Sequence, residues 1–254
     1  MVRLRAEDLG SEVNFSLENL ADKKDLNGQR LPGFALYPAG VAWVLQQTGL
    51  PLRGLAVRYS SDIPIGAGLS SSAAVEVGFA LAWQIAGGWE IPKLEMAKLC
   101  QKAENDYVGV KSGFMDQFAC ALGVAGHALA LDTRSLAWYT LPLPRDAAIV
   151  IADSGVRHSL ADSAYNSLRS DCQEAVEQLR TWCASLVSLR DVTPWFLLEH
   201  LSELPERVGR RAQHVVGEMA RVEQALGCLM EGDSPGFGAL MLETHASLRD
   251  LFGV

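Results

Sequence analysis

The residues best suited to chemistry lie between Asp62 and Glu76, in the run DIPIGAGLSSSAAVE. Gly66 and Gly68 stand one residue apart. Three hydroxyls follow at Ser70, Ser71 and Ser72, and the apolar run from Ala73 to Trp83 is long enough for a helix. Ahead of them Leu55, Val57 and Tyr59 alternate with Ala56 and Arg58, the period of a strand. The order read here is strand, glycine loop, helix. Glycine lets another group approach the backbone closely. The first N–H groups of a helix have no partner within it, and the helix dipole favours an anion there. Together these features can cradle a phosphate, with serine either capping the helix or turning its hydroxyl toward phosphate or Mg²⁺. Glycine turns before helices also occur as plain connections, so the residues by themselves leave both uses open. The loop lacks the Gly-Lys-Ser/Thr ending of a Walker A loop, and its glycine spacing is not that of a dinucleotide fingerprint.

The elements that must position this loop follow from periodicity. Val2 to Ala6 and Val13 to Leu17 alternate as two strands around an Asp8–Ser11 turn. Asp22 to Gly33 reads as loop and Phe34 to Gln47 as a helix. Gly87-Gly88 ends the helix after the glycine loop, and Pro92 opens another at a position where its missing N–H costs little. Met96, Cys100, Ala103 and Tyr107 recur at helical spacing and face the core, with Glu104 on the edge of that stripe. After a loop from Gly109 to Gly113, the spacing of Met115, Ala119 and Leu122 gives a short helix with Asp116 in its first turn, where an acid also suits the helix dipole. His127–Asp132 and Ala137–Leu141 form a hairpin. Ala147 to Ala152 is expected to be a strand buried on both faces, ending in a polar loop at 153–158. Helices are expected over 164–185, 195–201, 206–230 and 235–251, with Gly232-Asp233-Ser234-Pro235 as a break and cap.

Composition narrows the classes. The 254 residues suffice for one large or two ordinary domains, about half are hydrophobic, and the formal net charge is −8. That charge argues against nucleic-acid or anionic-membrane partners, though not against a nucleotide held by a local positive site. The five cysteines and five histidines show no metal-ligand spacing and no CxxC pair, as in a reducing cytosol. No leader or membrane-spanning run is read in the chain, so a soluble, cytoplasmic protein is expected.

The stretch Pro64-Ile65-Gly66-Ala67-Gly68-Leu69-Ser70-Ser71-Ser72-Ala73 resembles the nucleotide-binding motif of the GHMP small-molecule kinases, and its Gly-Leu-Ser-Ser-Ser-Ala form is most similar to galactokinases. Gly113-Phe114-Met115-Asp116-Gln117-Phe118 is similar to the galactokinase segment holding the catalytic aspartate, and Gln101-Lys102-Ala103-Glu104 to the one supplying a magnesium-binding glutamate. Segments at 154–160, 165–169, 210–218 and 245–250 resemble further galactokinase stretches in the same order. The resemblance implies ATP phosphates on Pro64, Gly66, Ala67, Gly68, Leu69, Ser70, Ser71, Ser72 and Ala73. It implies Mg²⁺ on Ser72 and Glu104, Asp116 as catalytic base toward the sugar C1 hydroxyl, and galactose against Gly113, Asp116 and Tyr165. The implied partners are galactose and ATP alone, with a monomer expected.

The implied fold is a two-domain α+β GHMP kinase. A mixed sheet carries helices on one side, followed by a helix-rich C-terminal domain. The chain is expected to be truncated at both ends. Residues 1–144 would be the ATP-binding domain, incomplete at its start, and 145–254 the second domain, incomplete at its end, with the active site between them. Two family motifs have no counterpart here: the Glu-His-Asp-x-x-Asn segment that binds sugar hydroxyls and the glycine-rich motif near the C-terminus. Impaired turnover and an open sheet edge around Val2 to Leu17 are therefore expected. Another GHMP kinase, of mevalonate, homoserine or other-sugar type, and a non-catalytic ATP- and sugar-binding sensor are the alternative readings.

Overall fold

A computed structural model describes residues 1–64, 68–152 and 163–254, and of 163–165 the backbone alone. The chain forms two compact units. One is centred on Met1–Ala125 with Leu131–Tyr139, and the other on the helices from residue 163 onward with Gly126–Ala130 and Thr140–Ile151.

The first unit starts from a strict alternation. In β1 (Val2–Ala6) Val2, Leu4 and Ala6 are buried while Arg3 and Arg5 face out. Strand β2 (Ser11–Phe15) runs antiparallel to it, with Val2 opposite Phe15, and β3 (Ala56–Tyr59) runs parallel on its other side, with Ala6 opposite Tyr59. The order β2-β1-β3 makes a mixed sheet with two unlike faces. The outer face carries Arg3–Glu12 and Arg58–Glu7 ion pairs at 2.8 Å and Arg5–Glu7 at 3.0 Å. The inner face packs on α1 (Gly33–Gln47) and α2 (Ser71–Gly87), placing helices on one side as expected. Within the stretch expected to be an open edge, β1 is paired on both sides, and on β2 Asn14 O accepts from Leu26 N at 2.9 Å.

Close packing then builds the floor of the site. Helix α3 (Lys93–Lys102) starts after Pro92 and widens at its end into a π turn, Ala103–Val108, with Gly109 N donating to Glu104 O at 2.9 Å. Met96, Cys100, Ala103 and Tyr107 are all buried, as their spacing implies. Tyr107 lies against α1 at Gly40, where an added Cβ would meet the ring at 3.0–3.3 Å. Its hydroxyl donates to Leu20 O at 2.6 Å. Glu104, expected on the edge of the stripe, is buried too, because the wider turn carries it inward beside Ala103.

Two other expectations are corrected. Helix α4 (Met115–Leu122) forms, but its buried face is Gln117, Phe118 and Leu122, while Met115 is 67% exposed and Ala119 is also exposed. Phe118 takes the core position, and the amide of Gln117 turns inward to carboxylates that periodicity does not reveal. The run Ala147–Ala152 is not a strand, and Ile149, Val150 and Ile151 are exposed. An apolar run becomes a buried strand only where neighbours complete its hydrogen bonds, and among the described residues none pairs with this one. The polar loop expected at 153–158 lies outside the described residues. The hairpin is present as β4 (His127–Leu131) and β5 (Trp138–Pro142).

The second unit is helical. It comprises α5 (Ser163–Leu179), α6 (Pro194–His200), α7 (Glu206–Glu231) and α8 (Ser234–Ser247). Leu179, Leu189, Leu197, Val208, Ala212 and Val216 are among its buried residues. Thr193 caps α6 by accepting from Phe196 N, and Asp233 caps α8 by accepting from Gly236 N at 3.0 Å, just past Gly232 in the left-handed region. Helix α5 ends six residues before the expected Ser185, and Arg180 Nε closes the following turn on Leu186 O at 2.6 Å. Asp171 is buried between Arg207 at 3.0 Å and Arg211 at 3.8 Å.

Candidate active site

The glycine loop joins β3 to α2, the strand–loop–helix order read from the sequence. Gly66 and Ala67 lie outside the described residues. Pro64 is exposed, and Gly68 has φ +76°, a conformation that favours glycine although an added Cβ would meet nothing. Ser70, just before the helix, also lies in the left-handed region, at φ 55°, and its side chain makes no capping bond. A non-glycine residue held there is strained, and such strain gathers at functional sites. The first turn of α2 therefore has no side-chain cap. Ser71 and Ser72 are half-buried in that turn, Leu69 is half-buried before it, and Ala73 is fully buried.

One turn further along α2, Glu76 is completely buried. Gln117 of α4 donates from Nε2 to Glu76 Oε2 at 2.9 Å and to Glu104 Oε2 at 2.8 Å. Ser112 Oγ makes a short hydrogen bond to the same Glu104 oxygen. Burial pushes the Glu76 carboxyl up to about 9, with Glu104 adding to the rise and the Gln117 bond opposing it. Glu76 therefore holds its proton at neutral pH. Among the described residues Glu76 Oε1 and Gln117 Oε1 are buried acceptors without a partner, and a proton on Glu76 turns one of the pair into a donor. Tyr37 of α1 also faces the two glutamates, and its hydroxyl is raised by burial, then by Glu104 and Glu76.

Glu104 is the expected site residue that belongs to this network. Ser72 sits four residues before Glu76 on the same helical face, about 6 Å along the axis. Glu104 is tied to Glu76 through Gln117, whose neighbour Asp116 is half-exposed in the first turn of α4. Ser72 and Glu104 each carry an oxygen of the kind a hard cation takes, a pair too small for a closed cage but suited to an ion that keeps waters and shares phosphate oxygens. Among the described residues no group of three or more His, Cys, Asp or Glu side chains could hold a metal. Gly113 is exposed, and an added Cβ would meet nothing within 4 Å. Tyr165 belongs to the first turn of α5, and its side chain lies outside the described residues.

Sequence reasoning gave no role to Glu76, Ser112 or Gln117. The signal available was an acid on the inward stripe of α2, where Ala73, Glu76, Ala80 and Trp83 are all buried.

Comparison with known proteins bears on the family and the fold. Residues 37–124 match the N-terminal domain of the GHMP kinases. The structure superposes on the crystal structure of Lactococcus lactis galactokinase complexed with galactose with a TM-score of 0.85 at 28% identity, covering all of this chain and 65% of that one. Methanococcus jannaschii mevalonate kinase, at TM-score 0.50 and 16% identity, shares the fold alone. The architecture is that of a GHMP kinase. The galactokinase of Roseiflexus sp. (strain RS-1) is 42% identical over 254 residues, which are all of this chain and 63% of that protein. The galactokinase of Thermotoga neapolitana is 38% identical over 255 residues, covering 100% and 70%. The chain belongs to the galactokinase family. It spans just under two thirds of several of these relatives, 63%, 63% and 62% of three of them.

Proposed function

We propose that this chain transfers the γ-phosphate of ATP to the C1 hydroxyl of galactose, giving galactose 1-phosphate and ADP. The observation that supports the proposal is the buried Glu76–Gln117 pair, which ties α2, the helix that follows the glycine loop, to Glu104 of the π turn and to α4, the helix that carries Asp116. Phosphoryl transfer depends on positioning and charge neutralisation more than on covalent chemistry. The loop from Pro64 to Ala73 holds the phosphates, with the uncapped N–H groups of α2 as donors. Ser72 and Glu104 would hold Mg²⁺, which when bound neutralises charge on the phosphates. Asp116 accepts the hydroxyl proton, a contribution on the order of 10²–10⁴-fold. Galactose lies against Gly113, Asp116 and Tyr165, and residues 1–144 and 145–254 form the two domains.

We place the protein in the cytoplasm. Its five cysteines are free, and among the described residues no helix is long and apolar enough to cross a membrane.

The test is ADP release from Mg²⁺ and ATP, with and without galactose, on this chain and on Asp116→Asn. Galactose-stimulated release that is lost in Asp116→Asn is expected. Equal release from both, or release indifferent to galactose, would overturn the proposal. ATP bound without any release would identify a nucleotide-binding relative instead.

A further inference from the structure

We infer that Gln117, anchored by Glu76 and assisted by Ser112, is a positioning residue that fixes the Glu104 carboxylate so that Oε1 is presented to the metal ion of the ATP complex. The inference rests on the kinase reading above, and goes beyond it by assigning a role to three side chains.

Four observations carry it. Gln117 is fully buried, yet it lies on a short helix whose neighbouring positions 115 and 119 are exposed. Both hydrogens of its amide are used on carboxylates from two other elements, α2 and the π turn. Glu104 Oε2 accepts from both Gln117 and Ser112, whereas among the described residues Oε1 accepts from no group, so the carboxylate is held by one oxygen and the other is free to ligate. Glu76 supplies the second anchor. A glutamine amide held by one hydrogen can still rotate, while one held by two, on different elements, has its plane fixed. The orientation of the amide follows from the chemistry, since an oxygen in place of Nε2 would face the Glu104 carboxylate. Groups behind a ligating side chain typically change metal affinity 10- to 100-fold when removed.

The experiment compares the affinity for the unreactive ATP analogue AMP-PNP in Mg²⁺ and in EDTA, by calorimetry, for the native chain and for Gln117→Leu, Glu76→Leu, Glu76→Gln and Ser112→Ala. The ratio of the two affinities reads the metal's contribution apart from catalysis. Mg²⁺ is expected to tighten binding to the native chain. In Gln117→Leu that tightening is expected to fall about 10- to 100-fold with affinity in EDTA unchanged. Glu76→Leu should behave similarly, and Glu76→Gln, which keeps an acceptor for the amide, should restore the native ratio. A native ratio in Gln117→Leu overturns the inference and leaves the kinase reading standing. A native chain that does not bind AMP-PNP at all overturns both. Where Gln117→Leu does not fold, Ser112→Ala decides, because it removes the other donor to Glu104 Oε2 from a half-exposed position, and an unchanged ratio there also overturns the inference.

Discussion

Replacing Glu76 with glutamine is expected to stabilise the protein by an amount that grows with pH. The side chain is completely buried in the first unit. The titratable groups that face it are Glu104, Tyr37 of α1, Cys100 of α3 and Cys120 of α4, and among the described residues no lysine or arginine is paired with it. Burial raises its carboxyl from 4.5 to about 9, so between those values the folded chain keeps a proton that the unfolded chain releases. Stability therefore falls as pH rises through this window, and is undiminished below its lower end. Each pH step inside it costs about 1.4 kcal/mol, so the loss is about 3 kcal/mol at pH 7 and approaches about 6 kcal/mol near the upper end. Glutamine has the same shape, still accepts from Gln117 and does not titrate. Urea unfolding of the two proteins from about pH 5 to about pH 8.5 should give curves that start close together and separate by about 3 kcal/mol at neutrality. A difference that does not change with pH would mean that Glu76 is ionised in the folded chain, and the description of the buried pair would fall with it.

Tyr107→Phe removes one of the two donors to Leu20 O, which still accepts from Lys23 N at 3.1 Å, and should cost about 1 kcal/mol by denaturant unfolding; no measurable loss would show that the hydroxyl bond does not form. Ser70→Gly relieves the left-handed backbone at φ 55° and should raise stability by about 1 kcal/mol, visible as a higher unfolding midpoint, whereas a lower midpoint would count against strain at that position. Asp171→Ala removes the acid that faces Arg207 and the mostly buried Arg211, which keeps its bond to Leu251 O, and should destabilise the second unit by about 2 kcal/mol, read from hydrogen exchange in α5 and α7; unaltered exchange there would contradict it.

Most of the secondary structure was legible because local signals were strong. The alternation of Val2, Leu4 and Ala6, the prolines at 92 and 235, and the Gly232-Asp233 cap each have one physical reading. The glycine loop was legible as a strand-to-helix connection before any comparison. Two elements were misread because their outcome depends on partners distant in sequence. Ala147–Ala152 has the composition of a buried strand but no neighbour to complete it. The face of α4 was set by Gln117 turning to Glu76 and Glu104, which periodicity scores as a polar residue that belongs outside. The same contacts made Glu76 invisible as a site residue. An acid in a helix of alanines and valines reads as a solvated position until the fold shows what surrounds it.

The most direct test of the account is ³¹P NMR of a reaction holding this chain, Mg²⁺, ATP and galactose. Formation of a sugar phosphate at C1 with equimolar ADP, absent when Asp116→Asn replaces the native chain, is the result expected. The same product from Asp116→Asn at an undiminished rate, or phosphate on a position other than C1, would contradict the assignment of Asp116 as the base and of galactose C1 as the acceptor.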